Sequence, residues 1–394
     1  MLDIKIKNRI EWFCKNQIND FSPTISPAPK NKDRNEIESI HEAVDYFLKN
    51  GVNELIIQKK YMGSYCTIYL KQNLDETYFV SRNGHKIEHI NLDEAKESIV
   101  ELHQKMIEKF PDFDTILIAS ELLPWKILGS GLIDREFYGY YDAQKTHNDF
   151  LQTNNLYEKI EKVKASNEFV TFEEDRNNLS SSAFRAKHKP HIIRQYEALG
   201  KIKILDLEKQ KDSLSVYKTQ IDTFGKSEKI HFKPFNILKI VWKDGNETIP
   251  ISNLTYESLN EDAFLHLKFD AENKVENIEK IYKFYENLTS NNEEGIMIKS
   301  ERSYVQGLVP CFKVRNNNYL TMIYGINFQI DFDYYLYKRK IGQKMEQSIN
   351  GWEINQQMLQ IPYKNIDEEN YLMKILLLKR INDEEVEKGL DPRL

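Results

Sequence analysis

The apolar positions of this chain change period several times. Ile37, Ile40, Val44, Phe47 and Leu48 recur at helical spacing, and Gly51 ends the run. The segment before it, "FSPTISPAPKNKD" (21–33), is punctuated by proline and reads as extended or turning chain. "ELIIQKK", "YCTIYLK" and "TYFVSR" then predict three short strands, with "KYMGS" and "QNLDE" as their turns. Asn91 begins a second amphipathic helix, with Ala95, Ile99, Leu102, Met106 and Phe110 on one face. "DTILIASEL" (114–122) is apolar enough for a central strand.

From about 131 to 226 the strand signal fades and a helical pattern with polar breaks such as "EEDRNNLSSS" takes over, which predicts a helical insert. Strands resume at "KIHFKPFNILKIVW", give way to two helices between about 255 and 290, and return at "EGIMIKS", "PCFKVR" and "TMIYGI". The last ~65 residues read mainly as helix. No internal repeat interrupts this order.

Composition narrows the function classes. The chain has 394 residues, 40% hydrophobic and 29% charged, with a net charge of -6. That allows a sizeable core and excludes a protein that coats duplex nucleic acid through its overall charge. Nucleic-acid contact would need a local basic groove on an acidic body. The three cysteines, Cys14, Cys66 and Cys311, are widely spaced, which points to a reducing compartment. The nine histidines show no ligand spacing. No stretch reaches the ~20 apolar residues of a membrane span, and the N-terminus lacks a signal-peptide layout. These features predict a cytoplasmic protein with no membrane partner.

"KYMGS" (60–64) raises the first chemical question. A phosphate-binding P-loop needs its lysine after the glycines, at a helix start. Here Lys60 precedes Gly63 and ends a strand. A lysine so placed can be a nucleophile if burial or nearby cations favour its neutral amine, with the glycine letting a phosphate approach. Five further motifs follow in order. "SRNG" supplies Arg82, "SELLPW" supplies Glu121, and "FKPFN" supplies Phe232 and Phe235. "EEGIMIKS" supplies Glu294, and "CFKVR" places Lys313 and Arg315 on one strand face. Together these are the parts of nucleotidyl transfer: an amine, carboxylates for a divalent metal, cations for the α-phosphate, and an aromatic face for a base.

The set "KYMGS", "SRNG", "SELLPW", "EEGIMIKS" and "CFKVR" resembles the motifs of covalent nucleotidyltransferases, the ATP-dependent polynucleotide ligases and capping enzymes. "SELLPW", "KVRNNNYLTMIYG" and the terminal "DPRL" are most similar to the ligase portion of bacterial polynucleotide kinase-phosphatase-ligase RNA repair proteins. The resemblance implies an α+β nucleotidyltransferase fold of ligase type: two antiparallel-rich, ATP-grasp-like sheets around an ATP cleft. It implies an adenylyltransferase domain at 1–130 and 227–326, a helical insert module at 131–226 and a helical C-terminal module at 327–394.

By the same resemblance, Lys60 takes AMP from ATP, Lys313 and Arg315 hold the α-phosphate, and Arg82 meets a phosphate or the RNA end. Gln58 reads the base edge, and Phe235 stacks on adenine, with Phe232 the second choice. Glu121 meets the ribose or metal-bound water, and Glu294 binds magnesium or manganese. The implied substrate is RNA with 5′-phosphate and 3′-OH ends. The implied protein partner is an RNA 3′-end 2′-O-methyltransferase of the same repair system, with kinase-phosphatase domains on the full-length chain or the ligase as a separate subunit.

Tyr65 stands where the family commonly has arginine, which opens a second reading, a degenerate nucleotidyltransferase acting as an interaction platform. A capping guanylyltransferase is a third. About 80 residues remain after Arg315, mainly helical, and the five-stranded barrel usual in capping enzymes and DNA ligases is not legible there. Arg185, Lys187, Lys189, Arg194, Lys201 and Lys203 make the densest basic run, the best sequence candidate for RNA backbone contact.

Overall fold

The computed structural model describes residues 3–127, 131–226, 229–254 and 262–394. Helix α1 (Ile4–Lys15) leads into the proline-flanked stretch, of which Ser26–Pro27 pair as strand β1. Helix α2 (Ile40–Lys49) is capped by Ser39 and buries Ile40, Ala43, Val44 and Phe47, the stripe its spacing predicts. Strands β2 (Glu54–Lys60), β3 (Ser64–Lys71) and β4 (Tyr78–Ser81) follow. The helix expected from Asn91 is two, α3 (Leu92–Glu97) and α4 (Val100–Lys109). The break falls at Ser98, whose hydroxyl donates to the Ala95 carbonyl at 2.7 Å. Strand β5 (Phe113–Leu123) closes this part.

A π-turn at Leu132–Phe137 opens the insert. Helices α5 (Tyr138–Thr153), α6 (Leu156–Lys164), α7 (Asn167–Asn178), α8 (Ser181–Lys187), α9 (Pro190–Gly200) and α10 (Leu207–Phe224) follow it. Strands β6 (His231–Trp242), β7 (Glu247–Thr248) and β8 (Leu265–Lys268), helix α11 (Lys274–Ser290), and strands β9 (Gly295–Ser300) and β10 (Cys311–Arg315) return to the sheets. Two helices were expected between about 255 and 290; the described part holds β8 and one helix, and 255–261 lie outside the described residues.

The rest is helical: α12 (Asn317–Tyr324), α13 (Asn327–Ile330), α14 (Phe332–Lys338), α15 (Gly342–Gln360) and α16 (Tyr371–Lys388). "TMIYGI", expected as a strand, is the end of α12 and the turn after it. The Asn316 side chain accepts from the Tyr319 amide at 2.6 Å, and α12 buries Leu320 and Met322 in a core shared with Leu214, Tyr217 and Ile221 of α10. Cap and packing override the β-prone residues.

Two five-stranded sheets form, in the orders β1-β10-β9-β2-β8 and β4-β3-β5-β6-β7. Strands β2 and β3 therefore do not pair as a hairpin. "KYMGS" is the crossing from one sheet to the other. In the first sheet, Leu55, Ile57, Ile296, Ile298, Phe312 and Val314 pack against α2 and α11. The second sheet is covered on both faces. Ile68, Phe79, Ile116 and Ile118 lie in the core that includes Ala95 of α3 and Met106 of α4. Tyr69, Val80 and Leu117 lie in the one that includes Phe13 of α1, Met358 of α15 and Leu377 of α16. One face of the first sheet is left over, and it faces the site. Among the described residues no helix is long and apolar enough to cross a membrane.

Candidate active site

Alternation along β2 sends Gln58 and Lys60 to one face and Leu55, Ile57 and Lys59 to the other. Register carries that face across the sheet. Gln58 opposes Met297, which opposes Lys313; Lys60 opposes Gly295, which opposes Arg315. The face bounds a cleft of ≈ 570 Å³, whose lining includes Gln58, Lys60, Lys313, Glu121, Phe235 and Arg82. Residues spread over most of the sequence thus meet in one space.

The adjacent lysines separate. Lys60 Nζ lies 2.9 Å from Glu294 Oε2, and Glu294 is 2% exposed. Lys59, on the opposite face, pairs with Glu293 at 2.7 Å. Gly295 makes the close strand approach possible. Its φ is +149°, and a Cβ there would lie 2.0 Å from the Val314 carbonyl oxygen.

Gly63 serves packing. A Cβ would lie 2.5 Å from the Leu122 carbonyl oxygen and 2.6 Å from Glu121 Cγ. Without one, the Gly63 amide donates to Glu121 Oε1 at 3.0 Å. Burial pushes the Glu121 carboxyl up to about 7, with Lys60 opposing and Glu294 adding to the rise. Burial also pushes the Lys313 ammonium well below the usual lysine range, helped by the Arg315 and Lys60 charges.

Arg315 does not line the cleft. Its Nε donates to Glu38 Oε1 at 3.1 Å, Nη2 donates to the same carboxylate at 2.5 Å, and Nη1 donates to the Arg393 carbonyl at 3.1 Å. Arg339 Nη2 donates to the same Glu38 Oε1. Burial acts to raise the Glu38 carboxyl, but Arg315 and Arg339 hold it below the usual carboxylate range. With its donors so committed, Arg315 anchors the strand end that carries Lys313; the direct α-phosphate contact expected of it is not what this arrangement provides.

The two phenylalanines also differ. Phe232 is 8% exposed and stacks on Phe79 in the core at 4.7 Å. Phe235 lines the cleft, its ring 6.0 Å from that of Tyr65. Tyr65 donates to Asp20 Oδ2 at 3.0 Å, and Asp20 also accepts from Thr67 and from Asn355 of α15. Burial holds the Asp20 carboxyl above its ordinary range against these donors. Tyr65 is thus tied into a buried network where an arginine was expected to reach a ligand. Arg82 reaches Glu387 of α16 at the rim. The basic run Arg185, Lys187, Lys189, Arg194, Lys201 and Lys203 is exposed on and after α8 and α9 and lines no part of the cleft.

Sequence reasoning missed Glu38, Lys299, Lys344 and Trp352. Lys299 was recoverable: it lies two residues from Met297 on the same face of β9. Lys344 and Trp352 reach the site through the packing of α15, and Glu38 bears on it through Arg315; none leaves a local signal. Among the described residues no group of three or more His, Cys, Asp or Glu could hold a metal. Glu121 lines the cleft, whereas Glu294 is not part of its lining and is held by Lys60; carboxylate oxygens of this kind suit a hard divalent ion that keeps waters and takes its remaining ligands from substrate phosphate.

A family model described as the PNKP adenylyltransferase domain, ligase domain, matches residues 15–365. The chain belongs to this family. The PNKP ligase fold extends along the whole chain. A chain of the Pnkp1/Rnl/Hen1 complex is 43% identical, with 99% of each chain covered and a TM-score of 0.94. A chain of the Pnkp1/Rnl/Hen1 RNA repair complex is 44% identical, with 100% of each covered and a TM-score of 0.89. No curated protein matches. The resemblance read from the motifs, and the α+β ligase-type fold it implied, are borne out, and this PNKP ligase chain is an enzyme of the adenylyltransferase class.

Proposed function

We propose that the protein is an ATP-dependent RNA ligase working through a lysyl-AMP intermediate on Lys60. One observation carries the assignment of the nucleophile: Lys60, and not Lys59, shares the strand face of Gln58 and Lys313, one strand-paired rung away. The ammonium first loses a proton. Nζ then bonds to the α-phosphorus of ATP as the bond to pyrophosphate breaks. AMP passes to the 5′-phosphate of RNA, breaking the P–N bond. A 3′-hydroxyl then attacks that phosphate and expels AMP.

Lys313 neutralises charge on the α-phosphate, Phe235 stacks on the adenine, and Gln58 meets the base edge. Glu294 and Glu121 would hold a magnesium or manganese ion, which supplies positive charge against the phosphate oxygens. The similar chains belong to Pnkp1/Rnl/Hen1 complexes. This supports RNA with 5′-phosphate and 3′-OH ends as substrate, a Hen1-type 2′-O-methyltransferase as partner, and a Pnkp1-type kinase-phosphatase beside it. The free, buried Cys14, Cys66 and Cys311 support a cytoplasmic setting.

Incubation with labelled ATP and a divalent metal tests the reading. The expected result is an acid-labile protein-AMP adduct that maps to Lys60, vanishes in Lys60→Ala and persists in Lys59→Ala. An adduct that survives Lys60→Ala overturns the assignment, and labelling by GTP alone replaces the ligase with a capping enzyme.

A further inference from the structure

Helix α14 turns an aromatic and basic face to solvent. Tyr334 and Tyr337, one helical turn apart, are 53% and 73% exposed. An ammonium lies over each ring: Lys338 Nζ is 4.4 Å from the centroid of Tyr334, and Lys32 Nζ is 5.1 Å from that of Tyr337. Lys30 ties the chain before α2 to this helix, its Nζ donating to the carbonyls of Leu336 and Tyr337 at 2.7 Å. Lys340 follows the helix and is exposed.

The ion pairs of these stretches are made by Arg34 with Glu36 and by Arg339 with Glu38. Among the described residues, Lys32, Lys338 and Lys340 make none. The acids close by in sequence are Asp33, Asp331 and Asp333, and Asp331 is taken by Lys203 at 3.3 Å. Lys203 ends the basic run of the insert, so that run adjoins α14. Partial burial pushes the Lys30 ammonium below the usual lysine range, and the charges of Lys32, Arg339 and Lys340 add to the fall. Positive charge thus collects here on a chain whose net charge is -6.

Beside the face lies a groove of ≈ 690 Å³, lined by Tyr334, Phe332 and the amide residues Asn35, Asn317 and Gln329 among others. It shares no residue with the cleft. Arg339, between the two exposed lysines, donates to the Glu38 carboxylate that also holds Arg315. The face is therefore joined through one buried carboxylate to the strand that carries Lys313. Exposed rings, unpaired ammonium groups and amides with both donor and acceptor match the parts of a single nucleic-acid strand: base faces, phosphates and base edges. Each lysine covers one face of its ring and leaves the other for a base. An acidic peptide would use the lysines but not the rings.

We propose that the α14 face binds a single-stranded segment of the RNA substrate away from the reacting ends, with Tyr334 and Tyr337 stacking on bases and Lys32, Lys338 and Lys340 meeting phosphates. The occupant follows from the ligase reading above, on which this inference rests; the chemistry of the face selects its unpaired form.

The test measures binding of the full chain to a fluorescent single-stranded RNA of ~12 nucleotides. The RNA carries a 5′-hydroxyl and no ATP is added, so no step of ligation contributes. Tyr334→Ala combined with Tyr337→Ala is expected to weaken binding ~10-fold or more, and phenylalanine at both positions to restore it. Lys338→Gln and Lys340→Gln should each lower the log–log salt slope by ~0.7. Adduct formation from ATP should keep its wild-type rate in every variant, because none of these residues lines the cleft. Blunt duplex RNA, whose bases are already stacked, should lose no affinity in the tyrosine variant; an equal loss there overturns the proposal.

Wild-type affinity and salt slope in these variants also overturn it and leave the face to a protein partner. Should the tyrosine variant show a lowered Tm, the two exposed lysines decide: an unchanged salt slope in both defeats the proposal. A wild-type chain that forms no adduct yet binds the RNA through these residues sinks the ligase reading and leaves the surface standing.

Discussion

Around the cleft, Arg315 and Arg339 are 5% and 2% exposed and close on a Glu38 carboxylate that is 0% exposed. On α8 and α9 of the insert, Arg185, Lys187 and Arg194 stand in solvent. Both regions are rich in cations, yet their physics differs. A buried charge must be paired or must await a ligand, because leaving it alone in a low dielectric is costly. A solvated charge needs no partner, and its pairs contribute ~0–1 kcal/mol at most. Charge density along the sequence is therefore a poor guide to the site. The densest basic run lies on the insert, while the cleft gathers single cations from separate strands and helices.

The largest effect expected from this contrast is at Glu38. Glu38→Ala leaves two buried arginines facing each other and should destabilise the fold by ~3–5 kcal/mol, read by denaturant unfolding. A loss under ~1 kcal/mol would break the contrast. The pH dependence has a definite sign. Because the folded carboxyl lies below its ordinary value of 4.5, its stabilisation is in full above that value and is lost as the pH falls through the folded one. Glu38→Gln should remove that part of the acid sensitivity.

A second experiment sharpens the contrast within a single motif. Phe232→Ala should cost ~3–5 kcal/mol of stability and leave the KM for ATP nearly unchanged in the folded fraction. Phe235→Ala should do the reverse, with a modest stability loss and a KM for ATP raised ~10-fold by the lost stacking. Equal stability losses would mean that Phe235 too is core.

The smallest effects belong to the insert. Arg185→Gln, Lys187→Gln and Arg194→Gln should each change stability by no more than ~0.5 kcal/mol. If this face meets RNA, each should flatten the salt dependence of binding by ~0.7 in log–log slope. A large stability loss at any of them would erase the distinction between the two regions.

The strands that build the site were legible because alternation is a local rule. β2, β3, β5, β6, β9 and β10 fall where the apolar pattern puts them, and the same alternation turns Lys60 and Lys59 to opposite faces of β2. It also put Arg315 on the face of Lys313, but it cannot say how far along that face the cleft extends. Glu38, more than 270 residues away in sequence, closes that end. "TMIYGI" misled because a short β-prone run takes its form from its surroundings, here the Asn316 cap and the packing on α10. Asp20, Lys344 and Trp352 were out of reach for the same reason: each gains its neighbours through the docking of α15, which no window of sequence contains.

Only Tyr61, Met62 and Gly63 join Lys60, the last residue of one sheet, to Ser64, the first of the other. Such a span has almost no slack, ~14 Å between its flanking Cα atoms even when fully stretched. Any tilt of one sheet against the other must pull on Lys60, the proposed nucleophile. A single residue inserted there would loosen the grip on its amine, whereas the solvent-facing turn between β6 and β7 could lengthen at little consequence.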